Sequence, residues 1–372
     1  MKRNTTLSVI AVVFVVVSIV MIMIMVTGFF GTQSSSIVNN ISSYSKESSS
    51  VKEVPSQSFF RLFQTIPIPN VNGRIDHMDI DVKGQKLFVA EIENNSLDII
   101  DLKASKRIHS IGNGMLNEPQ GVIFIPELNK IFVSNGQDGS ADIFDSKSYS
   151  FIKKIKLPSE DADNMRYDPS SKLIYVGYGE GSLGIINAAN YNIVGNIRLS
   201  GHPESFQIEM ENAASGQKQR IFINVPQSNS IEVVDDIQKR AVSKTWTITN
   251  AQDNFPMALD ETNHRLFVGT RDPPKLMVFD TNSGKVISIL DIANDADDIF
   301  YDVATKRIYV SCGEGFVNIF QQQDADHYSA IASVSTAQGA RTSLFVPELH
   351  RFYVAVPHIS NQQQSKILVY QV

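Results

Sequence analysis

Hydrophobic and polar positions divide the chain into three regimes. Residues 7–30 form an apolar run of 24 without a single charge. Residues 31–58 are polar, with 11 serines and few apolar side chains. From residue 59 onward, short apolar runs alternate with turn formers, and no segment keeps a long helical period.

The first run is long enough to cross a bilayer core, which takes about 20 apolar residues as a helix. It exceeds the roughly 7–15-residue apolar stretch of a cleaved signal peptide, and 28–31 is a poor cleavage site. The sequence therefore predicts an uncleaved transmembrane signal anchor over 7–30. Lys2 and Arg3 precede it, so residues 1–6 are expected in the cytoplasm and the remainder outside, at the cell membrane. The serine-rich stretch cannot bury enough surface to offset its ordering entropy and reads as a flexible tether over 31–58.

In the third regime one phrase recurs, an apolar residue, an aromatic, then Val or Ile. Its aromatics are Phe88, Phe132, Tyr175, Phe222, Phe267, Tyr309 and Tyr353, spaced 44, 43, 47, 45, 42 and 44 residues apart. An alternating segment precedes each copy, and two more β-branched runs follow, bounded by Gly, Pro, Asn, Asp and Ser. Four short strands per unit of about 40–45 residues is a propeller pattern. The predicted fold is an all-β, seven-bladed β-propeller over 59–372. The last unit ends at its third strand, and residues 61–67 look like a fourth strand, so an N-terminal strand is expected to close the ring and give a monomeric propeller.

The phrases LFVAEIENNSLDIIDL (87–102) and IFVSNGQDGSADIFD (131–145) resemble the YVTN-type propeller repeat. Over 59–372 the chain is similar to exported, mostly uncharacterised YncE-like proteins of that group. The resemblance implies the seven-bladed fold and leaves the task open, because propellers serve many functions. The single tryptophan, Trp246, is followed by Thr, so the Trp-Asp repeat does not fit.

Composition narrows the partners. Of 33 basic and 39 acidic residues, four and two precede residue 59, leaving a net −8 for the propeller. That balance disfavours nucleic acid, whose phosphates call for clustered Lys and Arg. The lone Cys312 excludes an internal disulfide framework. It reads as a small buried hydrophobe.

Candidate chemistry lies in the first strand of each unit, which lines a propeller's channel. Counting back from the aromatic phrase, one column reads Asp76, Gly121, Asp163, Glu204, Phe255, Asp297 and Thr342. The next reads His77, Val122, Asn164, Ser205, Pro256, Asp298 and Ser343, with Arg341 just ahead of both in the seventh unit. The two columns after these, which begin Met78, Ile123 and Ile80, Ile125, are apolar and are expected to pack between blades. Acids at a strand start often do no more than cap a turn. Gathered in a ring, however, like charges repel unless a cation offsets them. Asp76, His77, Asp163, Asn164, Glu204, Asp297, Asp298 and Arg341 are therefore the candidate ligand-binding residues. Asp76, Asp163, Glu204 and Asp297 are the candidate ligands for calcium or another divalent cation.

Two functions follow. The first is a membrane-anchored ligand-binding or protein-interaction scaffold, supported by the anchor and tether. The alternative is a metal-dependent, lactonase-like hydrolase, with its site at the acidic mouth of the channel. No GxSxG elbow or CxxCH motif points to serine hydrolysis or haem.

Overall fold

Each aromatic phrase forms a strand buried on both sides, because its two faces meet different neighbours. In the first copy Leu87 and Val89 pack towards the seventh blade while Phe88 and Ala90 pack towards the second. All four are inaccessible to solvent, which explains a continuous apolar run rather than alternation. The structure, a computed structural model, describes residues 59–112, 114–210, 216 and 218–372. The predicted anchor and tether lie outside the described residues. Among the described residues no helix is long and apolar enough to cross a membrane.

Seven four-stranded antiparallel sheets are present among the described residues. Six of them use four consecutive strands. The seventh joins Arg61–Pro67, from the N-terminal side, to Lys366–Gln371, Arg351–Val356 and Ser343–Val346. Ile66 pairs with Ile367 in that sheet, so the expected strand closure of the ring is present. Among the described residues, seven hydrophobic clusters, each shared by two successive blades, form the core.

The residue after each phrase is small or modest because it meets the inner strand of the next blade. A Cβ on Gly269 would lie 3.3 Å from Ile299 Cδ1 of the next blade, besides 2.7 Å from Pro256 Cγ of its own, and one on Gly177 3.0 Å from Pro203 Cγ. Ser134 Oγ donates to the carbonyl of Asp163 at 2.5 Å. Four of the third strands end in Asp or Asn, at Asp101, Asp145, Asn187 and Asp280, because that side chain accepts from the turn that follows. Asp101 Oδ1 takes the Ala104 N–H at 2.8 Å, and Asp280 Oδ1 takes that of Ser283 at 2.8 Å. The outermost strands carry many of the exposed large apolar side chains, among them Phe63, Ile108, Phe151, Ile193 and Val286.

Pairing register corrects the column alignment in two blades. Met78 sits opposite Val89, and the residues opposite Val133 and Val354, at the same distance along the chain, are Val122 and Ser343. Ile123 and Leu344 take the place of Asp79 rather than that of Met78; they line the channel while still packing against the clusters between blades, as expected. The mouth column is thus Asp76, Gln120, Asp163, Glu204, Phe255, Asp297 and Arg341, and all seven line one cavity. In these two blades the position opposite the phrase is followed directly by a larger apolar residue, which drew the column one place along.

Candidate functional site at the mouth of the channel

The inner strands begin at one end of the channel, so each blade delivers its first residues to the same place. In blades two, three, five and six the pairing register breaks there, between Pro119 and Val122, Ala162 and Met165, Asn254 and Met257, and Ala296 and Asp298. A bulge of this kind interrupts the strict alternation of side chains. Consecutive residues such as Asp163 and Asn164, or Asp297 and Asp298, consequently both reach the cavity.

The mouth cavity holds about 280 Å³ and is lined almost wholly by charged and polar groups. A second cavity of about 440 Å³ lies along the same strands, lined by Asp79, Ile123, Arg166, Gln207, Ala258, Phe300 and Leu344 among others. His77, Arg166, Ser205 and Asp298 line both, and so form the partition between them.

At the partition, His77 Nε2 and Asn164 Oδ1 are 2.9 Å apart. Arg166 Nη1 donates to the same oxygen at 3.3 Å and to the Met165 carbonyl at 2.8 Å. His77 Nδ1 lies 3.8 Å from Asp76 Oδ2, and Arg74 Nη2 lies 3.5 Å from that oxygen. Burial works against a charge on the His77 ring, but Asp76, Asp163 and Asp298 outweigh it and hold its pKa up at about 10. Burial also opposes ionisation of Asp76, yet His77, Arg74 and Arg341 lower its pKa overall. The geometry thus favours positive charge between Asp76 and Asp163.

Across the mouth, Asp297 is clamped by Arg271 Nη2 and by Arg341 Nε at 3.1 Å. Both guanidiniums also meet Asp295, at 3.3 Å from Arg271 and 2.7 Å from Arg341. Arg271 stacks 3.8 Å over the ring of Phe255. Asp298 accepts from the Ser343 N–H at 2.6 Å. Burial raises its pKa to about 7 against the pull of His77. His202 sits 3.2 Å from Asp161 and 3.9 Å from Asp163. Glu204 is short of positive charge: burial and the neighbouring Asp163 push it up to about 8.

All eight candidate residues line this cavity. The grouping differs from the expected calcium set. Asp76 and Asp163 come together with His77, their ligand atoms all within 4.8 Å of one another. Asp297 is instead engaged by two arginines, and Glu204 stands outside the triad. Sequence reasoning missed Arg74, Arg271 and His202. Arg74 and His202 fall two residues before Asp76 and Glu204, as Asp161 and Asp295 do before Asp163 and Asp297, so one more column would have exposed them. Arg271 comes from a second strand and left no such signal.

No protein-family model and no curated relative matches the chain. Solved structures do. The fold is similar to a chain of Kuenenia stuttgartiensis hydrazine synthase, with a TM-score of 0.67 and 17% identity over 82% of this chain and 97% of that one. It is also similar to a chain in the crystal structure of the mitotic checkpoint complex, with a TM-score of 0.69 and 12% identity over 92% of this chain and 99% of that one. At these identities the likeness is one of fold, the seven-bladed propeller.

Proposed function

We propose that the chain is a binding protein that takes up a small, cation-bearing solute at the acidic end of its channel. In this reading residues 7–30 anchor it in the cell membrane, residues 31–58 tether it, and the propeller stands outside. The Lys2–Arg3 flank supports that orientation. The repeat phrases at 87–102 and 131–145 support a place among exported YVTN-type, YncE-like propellers.

The observation that carries the reading is the 280 Å³ cavity with its charge asymmetry. On the Asp297 side the acids are matched by Arg271 and Arg341. On the Asp163–Glu204 side the matching groups are the imidazoles of His77 and His202, and they fall short at Glu204, where burial and Asp163 still raise the pKa to about 8. The volume suits a small solute rather than a macromolecular segment. The hydrolase alternative relied on four carboxylates around calcium, and the engagement of Asp297 by two guanidiniums removes one of them from that set.

The full-length chain is expected in the membrane fraction, resisting a high-salt wash and leaving only with detergent. Chelator-treated protein is then titrated by calorimetry with linear diamines, amino acids and dicarboxylates. Diamines should bind, dicarboxylates should not, and Glu204→Gln should weaken the uptake about tenfold, the value of one lost charge contact in a partly dry site. Absence of amine uptake, or indifference to Glu204→Gln, would sink the reading.

A further inference from the structure

We propose that Asp76, His77 and Asp163 hold a divalent transition-metal ion whose remaining coordination positions open into the mouth cavity. This deepens the reading above, since it rests on the mouth being a cation site and names the cation.

The first support is a set of buried side-chain atoms, close together, that make no hydrogen bond. Asp76 is 8% exposed and Asp163 7%. Asp76 Oδ2, Asp163 Oδ1 and His77 Nδ1 are buried, and none makes a hydrogen bond. The triad's ligand atoms lie within 4.8 Å of one another. Bonds of about 2.0–2.2 Å in a tetrahedral site set ligand atoms about 3.4 Å apart, so small side-chain rotations close the set. Arg74, 3.5 Å from Asp76 Oδ2, opposes a cation there, and its side chain, 40% exposed, has to swing towards solvent to admit one.

The second support is the partner behind the histidine. Asn164 Oδ1 receives Arg166 Nη1 at 3.3 Å, which fixes the amide with its oxygen towards His77. An amide oxygen only accepts, so His77 Nε2, 2.9 Å away, carries the hydrogen. Nδ1 is then the nitrogen that faces the two carboxylates, and a metal ion binds there by taking the place of the proton that they otherwise favour on the ring. Metal-bound histidines are oriented in this way, with the far N–H given to a carbonyl or carboxylate.

The donor set selects the ion. Calcium takes six to eight oxygens, whereas one imidazole with two carboxylates suits zinc, cobalt, ferrous iron or manganese. Three protein ligands leave room for water or solute from the cavity.

Chelator-treated full-length protein, titrated with zinc and separately with cobalt, should take up one ion per chain and melt at a higher temperature. Cobalt should give the intense visible absorption of four- or five-coordinate geometry, and a thousandfold excess of calcium should not displace it. His77→Gln and Asp163→Asn should each weaken zinc by more than the roughly 10–100-fold typical of losing an outer-shell partner. Asn164→Leu should fall within that range, and Asp101→Asn, at a third-strand turn away from the mouth, should change nothing. If the ligand variants fail to fold, the wild-type cobalt spectrum decides by itself. A spectrum like that of aqueous cobalt, no uptake, or uptake that survives both His77→Gln and Asp163→Asn would overturn the proposal. Diamine uptake without metal uptake would defeat this inference and leave the binding reading standing. Metal uptake without diamines would do the reverse.

Discussion

Gly121 shows how tightly single residues bind the mouth to the blade behind it. Its N–H bonds to Ser134 Oγ at 2.8 Å, and the same hydroxyl donates to the Asp163 carbonyl at 2.5 Å. A Cβ at Gly121 would stand 2.5 Å from that carbonyl oxygen and 2.7 Å from the hydroxyl. Neither can retreat, because one is backbone of the neighbouring blade and the other is inaccessible to solvent. Gly121→Ala should therefore cost about 1–3 kcal/mol, as overpacking does, and should weaken whatever ligand Asp163 holds. Gly195→Ala is the contrast. Its Cβ would meet the guanidinium of Arg240, 2.5 Å away but at the end of a flexible side chain. That change should stay within about 0.5 kcal/mol. Equal losses in denaturant melts of the two variants would refute the account.

At the scale of the strand, the first two blades bury a polar pair where the third has Tyr178 and Gly184 and the fifth Thr270 and Met277. Glu91 ends a second strand and is inaccessible to solvent. Its Oε2 accepts from Ser96 at 2.5 Å and Asn94 at 3.1 Å, while Oε1 has no hydrogen bond. Asp98, equally buried, pairs with Arg107 at 2.7 Å. The next blade has Asn135 donating to Asp142 at 3.2 Å, with Lys154 3.3 Å from that carboxylate. Burial and the nearby Asp98 raise the Glu91 pKa to about 9. A carboxyl with a raised folded pKa favours the fold most fully below its unfolded value of 4.5, and that contribution is lost as pH climbs through the folded value. Stability should fall between those limits. Glu91→Gln should flatten the decline and leave the variant ahead at pH 9 by about 1–3 kcal/mol, the desolvation cost of a buried unpaired polar group. Parallel pH profiles for wild type and Glu91→Gln would show that the carboxyl is already ionised in the fold.

For the whole molecule, ring closure decides whether seven similar units make one body. Arg61–Pro67 covers the edge of Lys366–Gln371. Just ahead of it Phe60, 1% exposed, stacks on Tyr370 with ring centroids 4.6 Å apart and also meets Tyr309 and Phe352. Ile66 fills the cluster between the seventh and first blades. A chain beginning at Asn70 loses both side chains, each worth about 1.5–3 kcal/mol on burial, and uncovers a strand edge. It should melt lower than one beginning at Ser58 and elute as oligomers in size-exclusion chromatography. Equal melting temperatures and a monodisperse monomer from Asn70 would mean that the ring does not depend on this clasp.

The sequence by itself determined the number of blades, the place of their strands and the strand that closes the ring. Those features are written locally: seven aromatic phrases at a steady spacing, turn formers between them, and a final unit one strand short. It also located the mouth, because every inner strand begins at the same point of its repeat. Tertiary structure alone decided which neighbouring positions share that mouth and with what partners. The pairing of first with second strands put Gln120 into the ring in place of Gly121, and set Arg341, already a candidate, level with Asp76 and Asp163. Bulges in four blades brought adjacent side chains to the same cavity. Arg271 reached Asp297 from another blade's second strand, and His77 joined Asp76 and Asp163 where four carboxylates had been expected. Spacing along the chain carries strand period and repeat length. It carries neither the register between strands nor the distance across a channel, which are fixed only when all seven blades pack against one another.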